Sequence, residues 1–398
     1  MRKFGPGLLV TAAFIGPGSV ATASAAGANF GFVLLWALLF SVIATIVLQE
    51  MASRLGLVSA SGLSQALRTT FKNPLLSRTA VILVIAAIGI GNAAYEAGNI
   101  SGAALGLHAL TALPQGLCAL LIGCLGAVLL GTGAFRLLEP ILIVLVLMMS
   151  ALFVMTMLSV EIDFSVLLSG LFTPHIPVGS TLTVIALIGT TVVPYNLFLH
   201  ASLVQEKWRG VHTERALAES RTDTVVSIGL GGLITLAIMS TSAVAFFNSD
   251  TPFSATSLAT QLEPVLGSSA NTFFALGLFA AGLTSAITAP LAAAYAVSGA
   301  LNWPTEYSDR GFRSICMMVL LVGTIFAVLG SKPIAAILFA QATNGLLLPV
   351  TAIFLIIIVN RKDLLGDYRN GLVSNMLGAL VVASVTGLGL FNLVRLFF

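Results

Sequence analysis

Residues 12–31 read AAFIGPGSVATASAAGANFG, a stretch lying where a first membrane helix belongs. Its centre, Gly16-Pro17-Gly18-Ser19, is turn chemistry. Proline removes a helix hydrogen bond and clashes with the preceding turn. A second interruption lies five spans on, in IGTTVVPYNLFLH (188–200), where Pro194 falls inside another apolar run. One such helix is a kink. Two, at corresponding places in two five-span halves, point to an inverted repeat with the solute site between the breaks. Unwinding frees backbone amides and carbonyls at mid-membrane, and these are tolerated only where protein, water or a solute satisfies them. Half-helix N-termini attract anionic groups and C-terminal carbonyls attract cations.

The surrounding chain is built for a bilayer. It has 398 residues, 58% hydrophobic and 8% charged, against about 25% charged in a soluble domain. Apolar runs of about 20 residues recur without strand-like alternation, so the spans are helices. Eleven are expected, near 5–28, 31–54, 80–106, 113–133, 138–159, 181–206, 223–248, 268–300, 312–330, 333–359 and 372–396. The halves are 1–160 and 161–360, with an additional helix in 361–398. An N-terminus in the cytoplasm places every Lys and Arg of the 18 inside except Lys332 and Arg395, a strong positive-inside bias. It puts the C-terminus outside and the chain in the cytoplasmic membrane. The first span is read as a helix and not as a cleaved leader. The outer segments 160–180 and 249–267 are expected to be irregular or short surface helices. Cys118, Cys124 and Cys316 have no metal or disulfide spacing and read as buried, inert thiols.

The stretches GPGLLVTAAFIGPGSVATASAAGANFGFVLLW (5–36), NISGAALGL (99–107), GTTVVPYNLFLHASLVQ (189–205) and NRKDLLGD (360–367) resemble the Nramp superfamily of proton-coupled divalent-metal transporters. The resemblance covers nearly the whole chain and implies the leucine-transporter fold, with spans 1 and 6 unwound at the substrate. The metal motif departs from the family. Where metal-transporting relatives read Asp-Pro-Gly-Asn and Met-Pro-His, this chain has Gly16, Ser19, Val193 and Tyr195. The carboxylate, amide and soft sulfur are gone, so no transition-metal site is expected. In span 3 the family's two acidic positions become Glu96 and Asn99. His200 and Gln341 are kept, with Asn344 near Gln341.

Span 8 contains FAAGLTSAITAPLAAA (279–294), which resembles the same span of sodium-coupled amino-acid transporters. The resemblance implies a Na⁺ site from Thr284, Ser285 and the Ala281 carbonyl, with carbonyls near Ala12 and Ile15. Packing of small residues is the plainer account of the same pattern.

Glu96, inside span 3, is costly in a membrane and reads as a coupling residue with Asn99 and His200. Asn92, Tyr95 and Asn99 share its face only in part. A contact between Glu50 and an arginine such as Arg54 stays open. His108 and His212 fall at loops. No nucleotide-binding or hydrolase motif occurs, so no enzyme is expected, and no cofactor beyond Na⁺ as coupling ion.

The expectation is therefore a monomeric secondary transporter in a lipid bilayer, without nucleic-acid partners. It would take up a small polar or carboxylate-bearing solute with Na⁺. The solute would bind at Gly16, Gly18, Ser19, Thr190, Thr191, Tyr195, Asn196, Gln341 and Asn344. A divergent divalent-metal or Mg²⁺ transporter coupled to protons stands second. Mg²⁺ keeps several waters and could use Glu96 and amide oxygens. A channel would need a continuous polar pore, whereas these polar residues cluster at two breaks.

Overall fold

The computed structural model describes residues 5–7, 15–71, 73–304, 306–330 and 332–397. Among these the chain is helical, without strands. The helices longer than one turn are α1 (Pro17–Phe30), α2 (Leu35–Ser59), α3 (Leu63–Thr70), α4 (Pro74–Thr111), α5 (Gln115–Thr132), α6 (Phe135–Ser159) and α7 (Phe164–Phe172). They continue as α8 (Thr181–Thr191), α9 (Pro194–Lys207), α10 (Thr213–Phe246), α11 (Ala270–Leu301), α12 (Arg310–Leu329), α13 (Pro333–Val359) and α14 (Leu372–Phe397). Among the described residues, 10 stretches are long and apolar enough to cross a bilayer, with α8 and α9 together making one. Helix α1 is the second half of the first span; residues 8–14, with the expected Ala12 carbonyl, lie outside the described residues.

Both breaks follow from proline. Gly16 is extended (φ −118°, ψ −173°) and Pro17 opens α1. Val192 and Val193 leave helical geometry and Pro194 opens α9. Having no N–H, Pro194 cannot bond the Thr190 carbonyl four residues earlier. The last carbonyls of α8 and the first amides of α9 are thus freed between two apolar half-helices.

Two spans begin earlier than the apolar pattern suggests. Helix α4 starts at Pro74, not near 80, because the Asn73 side chain caps the Leu75 amide at 2.8 Å. Helix α10 starts at Thr213, not near 223. Its polar first turns carry an Arg215–Glu219 pair at 2.7 Å, and such i,i+4 pairs support a helix outside the hydrocarbon. The 160–180 segment contains the short helix α7, capped by Asp163. In 249–267, a 3₁₀ turn spans Leu258–Leu262. Cys118 and Cys316 are buried, but Cys124 is exposed on α5, correcting its expected burial.

Helix α4 is the spine. A Cβ at Gly98 would lie 3.2 Å from the Ala340 side chain, at Gly102 2.0 Å from Pro17 Cβ, and at Gly106 2.5 Å from the Ala275 carbonyl. Gly98 and the NISGAALGL motif that follows it thus form a small-residue seam that lets α1, α11 and α13 press against α4. Close backbone approach of this kind drives helix association in a membrane.

Candidate functional site

The two breaks face each other. The Ser19 and Thr190 hydroxyls are 2.9 Å apart, joining the start of α1 to the end of α8. Gln341 on α13 lies against the same place: a Cβ on Gly18 would sit 2.2 Å from its Nε2. Both polar atoms of the Gln341 side chain are buried without a protein partner among the described residues, as is Asn344 Nδ2 one turn along. A Cβ on Gly91 would sit 3.3 Å from Asn344 Oδ1, so α4 closes that side. On α9, Tyr195 packs edge-on against Tyr95 with ring centroids 5.5 Å apart. Asn196 is fully buried, and neither of its side-chain polar atoms has a hydrogen-bond partner among the described residues.

Gly18, Ser19, Thr190 and Gln341 therefore meet at one point, while Gly16 faces Ser285. Thr191 is turned differently, its hydroxyl donating to the Leu187 carbonyl of its own helix at 3.0 Å. The span-8 pair divides. The Thr284 hydroxyl donates to the Ala280 carbonyl at 2.8 Å and is only half-buried. The Ser285 hydroxyl has no partner among the described residues and faces Gly16, where a Cβ would approach to 2.8 Å. Ile15 and Ala281 are buried nearby in sequence to these contacts.

Glu96 lies elsewhere. Gly98 and Gly102 turn toward the breaks, whereas Glu96 sits in the seam between α4 and α12. There a Cβ on Gly323 would fall 2.5 Å from its Cγ. Asn99 Nδ2 donates to Glu96 Oε2 at 3.3 Å, while Glu96 Oε1 is buried without a partner among the described residues. His200 is a third locus: its Nδ1 lies 2.9 Å from Gln49 Oε1 on α2. Gln49 lies outside the site residues expected from the sequence. The available signal was an amide in an apolar span, which is expensive unless partnered. Also outside those expectations is a buried set in which Gln261 Nε2 donates to Ser24 Oγ at 3.0 Å and Ser242 Oγ to the Ser24 carbonyl at 2.6 Å. It joins the segment after α10 to α1. Glu50 does meet Arg54, at 3.1 Å, and Arg221, at 3.0 Å.

Among the described residues no three His, Cys, Asp or Glu side chains come together. The donors at the breaks are hydroxyls, carboxamides and backbone carbonyls, all neutral oxygen or nitrogen.

Paired broken helices around a polar centre define a leucine-transporter-type membrane protein. Solved structures share this fold. A nucleobase-cation-symport-1 family transporter in a closed conformation superposes with a TM-score of 0.59 at 14% identity, over 98% of this chain and 91% of its own. The manganese transporter of Eremococcus coleocola gives 0.79 at 21% identity, over 97% of this chain and 85% of its own. The family model for natural resistance-associated macrophage protein-like sequences (Nramp) matches residues 7–395, and the chain belongs to that family. A divalent metal cation transporter of Yersinia pestis (strain Pestoides F) is 28% identical over all of this chain and 95% of its own. A natural resistance-associated macrophage protein 2 homolog of Dictyostelium discoideum is 27% identical over 98% of this chain and 63% of its own.

Proposed function

We propose that this protein is a secondary active transporter of a hard divalent cation, carried with part of its hydration shell and coupled to protons. The observation that carries the reading is the neutral oxygen cluster at the breaks: Ser19 against Thr190 at 2.9 Å, with Gln341 pressed on Gly18. Full-length similarity to a transporter named for divalent metal cations supports the cargo class. It moves the reading away from Na⁺-coupled uptake of a carboxylate solute, the first expectation, to the one that stood second.

The chemistry narrows the cation. Thioether, thiolate and imidazole donors favour soft transition metals, while carbonyl, hydroxyl and water oxygens suit Mg²⁺, Ca²⁺ and Mn²⁺. Among the described residues no carboxylate stands at the breaks to offset desolvation of a bare dication. Retained water does that, and Mg²⁺ in particular gives up its waters reluctantly. The freed carbonyls at the C-terminal end of α8 add the negative end of a helix dipole. Glu96, set apart in the α4–α12 seam, is suited to carry the proton and not to ligate the cargo.

Proteoliposome uptake tests this. Saturable Mg²⁺ or Mn²⁺ flux is expected, accelerated by a pH gradient and poorly inhibited by Cd²⁺. If no divalent cation moves while a Na⁺ gradient drives an organic acid, the proposal fails and Ser285 beside Gly16 becomes the coupling site. Strong Cd²⁺ preference would equally contradict an oxygen-only site.

A further inference from the structure

Away from the breaks, a cleft of about 490 Å³ opens at the basic end of the bundle, between α2, α10 and the start of α14. Its walls differ in kind. Ile46 and Leu377 form an apolar side, while Glu50, Arg54, Arg221, Asp367 and Arg369 form a charged one. Three arginines face two carboxylates, leaving an excess of positive charge.

The arginines do different work. Arg54 is buried, at 4% exposure, and all three nitrogens of its guanidinium are engaged. It bonds Glu50, the Tyr368 carbonyl at 2.6 Å and Asn370 Oδ1 at 2.6 Å, stapling α2 to the segment before α14. Glu50 is shared, because Arg221 also bonds it at 3.0 Å while keeping more than half its side chain exposed. Arg369 is exposed and has no ion pair among the described residues. Between them, Arg221 and Arg369 hold donors that Glu50 and Asp367 do not saturate. The first amides of α14 add the positive end of a 26-residue helix.

Its position sets what fits. Leu372, Val373 and Met376 are exposed on the first turns of α14, directly beside the cleft. Such a surface belongs against hydrocarbon, and the arginines stand at its edge, on the end that the positive-inside rule assigns to the cytoplasm. We infer that the cleft seats the headgroup of an anionic phospholipid, its phosphodiester on Arg221 and Arg369 and an acyl chain along Ile46 and Leu377. Basic pockets between helices at this level hold lipid headgroups in this way. Inorganic phosphate shares the charge but leaves the apolar wall uncovered.

The test is a melting-temperature titration of the purified full-length protein in detergent with phosphatidylglycerol, phosphatidylcholine or inorganic phosphate. A ligand of the folded state raises Tm with concentration. A saturating rise is expected for phosphatidylglycerol and little for the other two. Arg369→Gln breaks no ion pair among the described residues, so its lipid-free Tm should stay close to wild type. Its half-saturating phosphatidylglycerol concentration should rise about fivefold, the ratio equivalent to roughly 1 kcal/mol per basic residue near an anionic surface. Arg221→Gln together with Arg369→Gln should weaken it further. Native mass spectrometry should find fewer retained phosphatidylglycerol molecules on the double variant. Equal shifts with phosphatidylcholine, a full shift with phosphate alone, or a double variant that titrates like wild type would each overturn the site.

Discussion

Gly189 offers a direct measure of how tightly the broken helix α8 is held against α13. A Cβ there would lie 2.0 Å from the Gln341 carbonyl oxygen and 2.4 Å from the Gly345 amide nitrogen, where ordinary contact begins at 3.4 Å. Both obstacles are backbone, so no rotamer change relieves them. The reciprocal contact is as close, since a Cβ on Gly345 would meet the Ile185 carbonyl at 2.5 Å. In Gly189→Ala the two helices must therefore separate by more than an ångström. Overpacking of this kind costs about 1–3 kcal/mol, or a fall of roughly 1–4 °C in Tm for a cooperatively folding chain of this length. The same separation shifts Gln341 away from Gly18, so transport should fall more than Tm suggests. Two further glycines calibrate the measurement. Gly18→Ala meets only the amide end of the Gln341 side chain, at 2.2 Å, which can swing aside. It should keep a near-normal Tm and lose cation-induced stabilisation. Gly229→Ala, with nothing within 4 Å, should be neutral or stabilising by up to about 1 kcal/mol, since glycine is disfavoured inside a helix. Thermal unfolding in detergent, with and without Mg²⁺, reads all three. If Gly189→Ala melts at or above wild type and transports normally, α8 and α13 do not touch as described and the site built on Gln341 falls with them.

Three other outcomes follow from the same geometry. Ser19→Ala and Thr190→Val should each weaken cation binding a few-fold, from the loss of a hydrogen bond worth about 0.5–1.5 kcal/mol. The double variant should be no worse than the sum less that shared bond, and strict additivity in isothermal titration would mean that the 2.9 Å contact is not made. Glu96→Gln keeps the shape of the side chain in the α4–α12 seam, so it should fold and bind Mg²⁺ while uptake loses its response to a pH gradient; unchanged pH-driven uptake would remove Glu96 from the coupling path. At the capped end of α7, the Ser165 hydroxyl, and then the Ser165 and Val166 amides, hold the Asp163 carboxyl below the usual aspartate range. A depressed folded pKa means that the cap contributes fully above the unfolded value, about 3.9, and is lost as pH falls through the folded one. Amide exchange at Ser165 and Val166 should be faster in Asp163→Ala than in wild type at neutral pH. Equal rates would deny the cap.

The fold was legible because the bilayer leaves few choices. A chain with 8% charge and recurring apolar runs must be a helical bundle, and a proline inside such a run must free the carbonyl four residues before it. The interruption at Pro194, paired with that at Gly16-Pro17, is legible in this way, and the structure has α8 ending and α9 beginning there. The extents of α4 and α10 were not legible, since apolar periodicity stops at the headgroups while the helix continues on caps and ion pairs. Side-chain direction was beyond the sequence too. Thr284 and Ser285 are neighbours in the chain, yet one hydroxyl is spent on its own helix and the other faces Gly16. Glu96 and Gly98 are two residues apart, yet helical rotation sends one to α12 and the other to α13. Residues far apart in sequence, such as Gln49 with His200 or Arg54 with Asn370, become partners only when the helices pack. The one-dimensional sequence determines which segments enter the membrane and where they must break; which polar groups then meet depends on crossing distances set by glycine seams, and only the tertiary structure fixes those.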